Sequence, residues 1–266
     1  MEGDYALITK YLEEALQTDH RYQQAAHHAT LPPGQLLRPL VLLSTGRMFG
    51  LPDDKILPCA ATIELAHTAS LILDDLPPFD NSDERRGRKS THMAYDVPTA
   101  LLAYNYLRER AERLIHKNPV GDAQTKLLIL EEINQFALDL LQGEAEDLFW
   151  VPPESSKEML ERYALKSGTP FAGAAVIGGL LGGATPQKLD TLRNFGISLG
   201  KGYQLQDDLD DHYRDTMSYY ILYGKASTEG AFREQKELAL SFLAQLESDH
   251  DTSALEALTM KVLHAQ

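Results

Sequence analysis

The sequence has little cysteine, little positive charge and no long alternation of apolar and polar residues. Its single cysteine, Cys59, excludes an internal disulfide and predicts a reducing compartment, with the thiol buried in an apolar segment. The 25 basic and 39 acidic side chains give a net charge of −14, which argues against a nucleic-acid surface and against general attraction to anionic lipid. Any anion that binds must therefore be held by a local basic cluster.

The sequence also lacks the features of a signal peptide and of a membrane span. The N-terminal region carries acids throughout and lacks the apolar block of a signal peptide. No apolar stretch is expected to approach the roughly 18 residues that span a bilayer. The sequence therefore predicts a cytoplasmic protein without a membrane span.

Apolar residues recur three and four positions apart in almost every segment, which predicts an all-α protein. The breaks between helices are short, and none is typical of a flexible linker, so residues 1–266 are expected to form a single domain. The predicted helices cover roughly residues 4–18, 35–50, 54–75, 97–116, 123–150, 156–167, 170–183, 187–213, 216–223, 231–247 and, more briefly, 253–264.

The first stretch that carries chemistry is SLILDDLPPFDNSDERRGR, residues 70–88. An apolar helix runs into Asp74 and Asp75, Pro77–Pro78 ends or kinks it, and Asp80 follows. Carboxylate oxygens are the ligands that magnesium prefers, and the guanidinium groups that come next suit phosphate oxygens. The pattern predicts a metal and diphosphate site, although SDERRGRK alone is more typical of a charged surface loop.

A second acidic cluster, YQLQDDLDDHYRD, occupies residues 203–215. On a helix, Asp207 and Asp211 lie one turn apart and Asp208 lies three residues before Asp211, so the three are expected to share a face. The preceding helix is apolar and rich in small residues, which predicts a position near a core. Alone this cluster would equally fit a solvated acidic helix end. Two such clusters predict carboxylates that face each other across a cavity and bind magnesium.

Together these segments resemble the trans-isoprenyl diphosphate synthases of the polyprenyl synthetase family, and the order of the motifs is that of the family. The resemblance implies an all-α, antiparallel helical bundle around a deep central cavity, of the isoprenoid synthase type and usually homodimeric. It is strongest to bacterial geranylgeranyl and farnesyl diphosphate synthases. The matching segments, between about residues 30 and 225, are GQLLRP (34–39), HTASLILDDLPPFDNSDERRGR (67–88), KSGTPF (166–171) and YQLQDDLDD (203–211).

The resemblance also implies a reaction. An allylic diphosphate, bound through two or three Mg²⁺ ions, loses pyrophosphate to give an allylic cation, and the double bond of isopentenyl diphosphate attacks that cation. Loss of a proton then completes a longer trans-prenyl diphosphate. Metal ions and basic side chains stabilise the departing diphosphate charge.

Carried over position by position, the resemblance implies a role for each motif residue. The metal ligands would be Asp74, Asp75, Asp80, Asp207 and Asp211. Isopentenyl diphosphate would be held by Arg38, His67 and Arg86, and the allylic diphosphate by Arg85, Lys166, Ser167 and Gln204. The catalytic set would be Asp74, Asp80, Arg85, Lys166 and Asp207. Without this context, His67 would be a satisfied buried histidine on an apolar helix.

Two small residues, Ala69 and Ser70, precede the first aspartates, and in this family a small pair leaves the product tunnel open. A geranylgeranyl product is therefore favoured, with farnesyl next.

Several positions depart from the family pattern. The family has lysine, arginine and glutamine at the positions of Gln35, Leu36 and Glu144, and many members have Gly-Asp at the position of Tyr104–Asn105. The family also has a lysine-bearing loop after the second aspartate motif, and no such loop follows Asp211. These departures support a second hypothesis, a non-catalytic or weakly active subunit that modulates an active synthase. A cyclising terpene synthase is disfavoured because the second cluster is fully acidic.

Overall fold

The structure is a computed structural model that describes residues 2–149, 152–210 and 218–264. Among the regular elements of these residues, all are helical except one short hairpin, which confirms the predicted all-α class. The helices are α1 (Glu2–Ala15), α2 (Arg21–Thr30), α3 (Leu37–Met48), α4 (Asp53–Asp74), α5 (Thr91–Ala94), α6 (Val97–Lys117), α7 (Ala123–Leu148), α8 (Ser156–Tyr163), a π-helical segment (Ala164–Gly168), α9 (Thr169–Leu181), α10 (Pro186–Asp210), α11 (Tyr219–Tyr223), α12 (Lys225–Ala244) and α13 (Ser253–Val262). The hairpin strands are β1 (Glu84–Arg85) and β2 (Arg88–Lys89), which pair antiparallel.

The chain divides into two compact units. The first comprises Met1–Leu43 and Pro52–Lys126, and the second comprises Ser44–Leu51 and Leu127–Gln266. Helix α4 forms the core of the first unit, where it packs most extensively against α6 and also contacts α1 and α2. That the whole chain folds as a single domain stays a prediction.

Helix α4 corrects one expectation from the sequence. By its length and apolar composition it is the one helix among the described residues that could cross a bilayer, although no such stretch was expected. Most of its apolar window is buried inside the protein, as in the core helix of a soluble domain. Cys59 lies on this helix and is 1% exposed, which confirms the predicted buried thiol. Burial raises the pKa of that thiol to about 11.

Helix α10 has the corresponding central position in the second unit, where it contacts α12, α9 and the π-helical segment. Two glycines allow this close approach. A Cβ atom on Gly196 would lie 2.3 Å from the Cα atom of Ala172, and one on Gly200 would lie 2.3 Å from the carbonyl oxygen of Ser167. Because these neighbours are backbone atoms, they cannot move aside as a flexible side chain can.

Two helix predictions were wrong. Helix α2 was not predicted because its buried face is made of small and polar side chains, Gln23 and Thr30 among them, rather than of large apolar ones. The Gln23 side chain accepts a hydrogen bond from the His20 N–H at 2.9 Å and closes the first turn. Helix α12 begins at Lys225, six residues before the predicted start, because its first turns lack apolar periodicity.

The close approach at Gly200 generates a stability prediction. Replacing Gly200 with alanine should lower the free energy of unfolding by about 1–3 kcal/mol, because the methyl group forces α10 away from the π-helical segment. The matched control is Gly230→Ala on α12, where no atom lies within 4 Å of the added Cβ. That variant should gain up to about 1 kcal/mol from helix propensity. Urea unfolding of both variants measures the difference, and equal stabilities would contradict the packing argument.

Candidate active site

The first aspartate cluster lies at the end of α4. The turn that contains Pro77–Pro78 returns the chain, so that the Asp80 N–H donates to the Asp74 carbonyl oxygen at 2.9 Å. The Ser82 N–H donates to the Asp75 carbonyl oxygen at 3.2 Å and closes the same turn. Asp74 is half-buried and Asp80 is exposed. The structure thus places two predicted metal ligands on one turn.

Asp75 is buried in an ion pair. It is 2% exposed, and its Oδ1 atom accepts hydrogen bonds from Arg85 Nη2 at 2.5 Å and from Arg85 Nε at 2.9 Å. Burial works to lower the pKa of Arg85, but the hydrogen bond and the charge of Asp75 outweigh it and raise that pKa. Metal ligation by Asp75 and diphosphate contact by Arg85 stay predictions, and both groups already have a partner.

The hairpin that follows sets the direction of Arg86. Its two-residue turn consists of Arg86 and Gly87, with φ angles of 56° and 70°. Positive φ at both positions is typical of the turn that matches the twist of a hairpin, and glycine adopts it without strain. Arginine in this region is uncommon and carries a conformational cost. The surrounding structure must therefore hold Arg86 in place.

A cluster of basic side chains surrounds His67 on α4. The Nε2 atom of His67 lies 3.3 Å from Arg38 Nη1, and the side chain is partly buried. Burial, then the positive charges of Arg38, Arg86 and Arg85, lower the pKa of His67 well below its usual range. The imidazole is therefore neutral at physiological pH. The structure brings the three residues predicted to bind isopentenyl diphosphate, Arg38, His67 and Arg86, into one electrostatic cluster.

Glu64 belongs to the same cluster and was missed by the sequence analysis. It is 2% exposed, and its Oε1 atom lies 3.8 Å from Arg86 Nη2 without a hydrogen-bond partner. Burial raises its pKa to about 7, against the opposing effect of Arg86 and Arg38. The sequence feature that could have identified Glu64 is its position as a single acid inside an apolar helix, one turn before His67 on the same helical face.

The second cluster is divided by burial. Asp207 is exposed, whereas Asp208 is buried and accepts hydrogen bonds from the Tyr163 hydroxyl at 2.6 Å and the Tyr219 N–H at 2.9 Å. Asp208 therefore does not share a face with Asp207 as expected, because Asp208 is buried within the second unit. Metal ligation by Asp207 stays a prediction, and Asp211 lies outside the described residues.

The lysine predicted for the allylic site projects from the π-helical segment. The Nζ atom of Lys166 lies 3.3 Å from Glu144 Oε2, so the acid that replaces the family's glutamine forms an ion pair with this lysine. The Lys166 stem passes so close to Gly143 that an added Cβ would lie 2.6 Å from it. Short π-helical segments frequently occur at functional sites, where they redirect side chains.

Ser167 and Gln204, the other predicted allylic residues, contact each other. The Ser167 hydroxyl donates to Gln204 Oε1 at 2.9 Å, which joins the π-helical segment to α10. The structure therefore brings together Ser167 and Gln204 in the second unit. Their contact with a diphosphate stays a prediction.

The predicted metal ligands have the right chemistry for magnesium. Asp74, Asp80 and Asp207 all supply hard carboxylate oxygens, and magnesium usually takes only one or two carboxylates, with waters and phosphate oxygens completing its shell. Among the residues that the structure describes, no group of three or more His, Cys, Asp or Glu side chains is arranged to hold a metal ion. The chemistry of these carboxylates is compatible with an ion whose remaining ligands are water and phosphate oxygens.

An all-α chain with an aspartate-bearing helix end in each unit agrees with the isoprenoid synthase class that the sequence resemblance implies. A family model described as polyprenyl synthetase matches residues 19–232, most of the chain. The protein belongs to the polyprenyl synthetase family.

Individual relatives agree with this assignment. The chain is 31% identical to a geranylgeranyl diphosphate synthase of Pantoea ananas over 83% of this chain and 78% of the relative. It is 32% identical to a farnesyl diphosphate synthase of Geobacillus stearothermophilus over 77% and 70% of the two chains. A solved geranyltranstransferase of Thermotoga maritima is similar with a TM-score of 0.81 and 29% identity, over 98% of this chain and 95% of that one. The matched region spans 60% to 78% of the length of the curated relatives.

Glu64 generates a prediction about stability and pH. Its carboxyl group ionises near 4.5 when unfolded and near 7 when folded, so between these pH values the folded state keeps a proton that the unfolded state has lost. Ionising Glu64 should therefore cost the folded protein about 3 kcal/mol as pH rises through this window. Glu64→Gln removes that cost.

The measurement is urea unfolding of the wild type and Glu64→Gln at several pH values. The variant should gain stability relative to the wild type from pH 4.5 to pH 8. The control is Glu13→Gln on α1, an exposed acid replaced in the same way and measured at the same pH values. A Glu64→Gln difference that is independent of pH would contradict the raised pKa.

Proposed function

We propose that the protein is a magnesium-dependent trans-prenyltransferase that condenses an allylic diphosphate with isopentenyl diphosphate. The observation that carries this proposal is the Asp74–Asp80 turn, which is followed directly by the hairpin bearing Arg85 and Arg86. Carboxylates for a metal ion and guanidinium groups for a diphosphate thus occupy adjacent segments of one unit. The synthase names of the curated relatives support the same reaction.

Magnesium would be held by Asp74 and Asp80 in the first unit and by Asp207 in the second, with Asp75 and Asp211 as further predicted ligands. When bound, the ions would neutralise the charge that develops on the departing diphosphate. The protein's own groups would orient the two substrates and exclude water from the allylic cation.

Two sets of residues would bind the two substrates. Arg38, Arg86 and the neutral His67 would hold the diphosphate of isopentenyl diphosphate. Lys166 and the hydrogen-bonded pair of Ser167 and Gln204 would line the allylic site. This division follows the residue roles that the family resemblance implies.

Product length is expected to be geranylgeranyl, with farnesyl next. Ala69 is 1% exposed, and the Ser70 hydroxyl donates back to the His67 carbonyl oxygen at 2.9 Å, so neither side chain extends far from α4. The two named curated relatives divide between these products, and chromatography of the products from the wild-type protein would decide.

The function is tested by incubating the protein with labelled isopentenyl diphosphate, allylic primers and ample magnesium. Asp74→Ala and Asp207→Ala should each lower turnover by about a hundredfold or more, because each removes a metal-ligating carboxylate. The control is Asp210→Ala, whose exposed carboxylate accepts a hydrogen bond from Gln206 at 3.0 Å on its own helix. It should retain most activity.

No elongation by the wild type with any primer would reject the proposal. Titration into an active synthase would then test the modulating-subunit hypothesis, which would be favoured by a shift in that synthase's products.

A homodimer is also proposed. Helix α7 exposes a stripe of leucines whose spacing places them on one helical face. The stripe consists of Leu127, Leu138, Leu141 and Leu148, which are 42% to 61% exposed. Several exposed leucines on one helical face are typical of a protein–protein interface.

Leu138→Glu should weaken the dimer by placing a charge at the centre of this stripe. Leu238→Glu, on the exposed face of α12, is the matched control and should leave the assembly unchanged. Sedimentation velocity at several concentrations measures the assembly state. A wild-type protein that remains monomeric at all concentrations would contradict the proposed dimer.

A further inference from the structure

Glu64 has no assigned role, yet it is a strongly buried acid beside two arginines, Arg86 and Arg38. Its carboxylate oxygen Oε1 lies 3.8 Å from Arg86 Nη2 and accepts no hydrogen bond. A buried carboxylate oxygen without a hydrogen bond is costly, and an apolar residue would fit this helix better. The position of Glu64 therefore calls for a reason other than stability.

Arg86 needs support in this position. Its backbone is in the left-handed region with φ 56°, and its guanidinium group lies so close to Gly34 that an added Cβ there would be 2.8 Å from its Cζ atom. The side chain is 29% exposed, so without a carboxylate partner it would gain solvation by turning outward. Repulsion from Arg38 acts in the same direction.

We propose that Glu64 is a positioning residue whose ionised carboxylate holds Arg86 beside Arg38, so that both guanidinium groups are oriented for the diphosphate of isopentenyl diphosphate. The inference rests on the proposed function, since that function assigns these arginines to this substrate. Glu64 acts through Arg86 and has no contact with the reacting carbon atoms in this role.

The role predicts a specific dependence on pH. Arg86 from the hairpin and Arg38 from α3 are the charged groups that shift the pKa of Glu64, and no titratable group from α1, α2 or α6 contributes among the described residues. His67, one turn along α4, has a pKa well below its usual range, because burial and the neighbouring arginines favour its neutral form. Glu64 is then the group of this cluster that changes charge between pH 6 and pH 8, with a pKa of about 7.

Loss of the carboxylate has two opposing effects on the substrate. It removes the group that orients Arg86, and it also removes a negative charge close to an anionic ligand. Orientation should win, because the two arginines stay charged and repel each other, and without the carboxylate Arg86 is free to turn out toward solvent. Glu64→Gln should thus bind isopentenyl diphosphate more weakly, by about tenfold, as is usual for the loss of a group that orients a binding residue.

The experiment measures KM for isopentenyl diphosphate at pH 8 and pH 6 in the wild type and in Glu64→Gln. At each pH, the KM of Glu64→Gln is divided by the KM of the wild type. This variant-to-wild-type ratio should be about ten at pH 8 and should approach one at pH 6, where the wild-type carboxyl group is also neutral. Because the substrate is the same in both proteins, its own titration cancels in the ratio. The kcat at saturation and the KM for the allylic substrate should change by less than about twofold.

Two further variants complete the design. Glu64→Asp keeps a carboxylate and should restore part of the affinity at pH 8, which a merely structural role would not require. Glu13→Gln should match the wild type throughout. Calorimetric titration with isopentenyl diphosphate alone at both pH values reports binding without turnover.

The outcomes separate this inference from the proposed function. The positioning role is overturned, and the function left intact, if the wild type elongates and one of two results is seen. Either the variant-to-wild-type KM ratio is the same at pH 8 and pH 6, or Glu64→Gln binds isopentenyl diphosphate more tightly than the wild type. A wild type that does not elongate but shows the pH-dependent ratio in calorimetry overturns the function and supports the role of Glu64. Absence of both elongation and binding overturns both.

Discussion

The ion pair between Asp75 and Arg85 is the interaction on which the first half of the candidate site depends. Acidic side chains in the last turn of a helix are opposed by the helix dipole, and burial adds a desolvation cost. Asp75 has both disadvantages, since it caps α4 and is 2% exposed. Two hydrogen bonds from Arg85 compensate them. Because Arg85 lies on β1, this pair fixes the hairpin against the end of α4, and with it the turn that brings Arg86 towards Glu64.

The second unit positions its site residues mainly through backbone approach and one buried hydrogen-bond centre. Gly200 lets α10 touch the backbone of the π-helical segment at Ser167, so the Ser167 hydroxyl reaches Gln204. Asp208 orients the same helix because it binds the Tyr163 hydroxyl and the Tyr219 N–H together. A buried carboxylate that is satisfied in this way resists rotation of α10, which keeps the neighbouring Asp207 on the exposed side.

The motif residues could be predicted from the sequence because their spacing matches a known pattern. The residues that contact them could not be predicted from that spacing. Helical periodicity predicted most helices, and the order of the motifs predicted the family. Nothing in a pair of adjacent aspartates indicates that Asp208 turns inward, because that choice is made by Tyr163, far away along the chain. Glu64 was missed for the same reason, since its significance depends on Arg86. Helix α2 was missed because its buried face is not apolar.

Ion pairs between acidic and basic side chains at the candidate binding residues help to explain why a divalent cation is expected. Three basic residues assigned to substrate diphosphates have an acidic neighbour: Arg85 has Asp75, Arg86 has Glu64 and Lys166 has Glu144. Each of these three cations is therefore already partly compensated by its neighbour, in a chain whose net charge is −14. A diphosphate that enters such a site meets guanidinium groups whose charge is already partly compensated. A divalent cation that arrives with the diphosphate would balance the remaining charge, which is why carboxylates such as that of Asp80, exposed beside the hairpin, are predicted as its ligands.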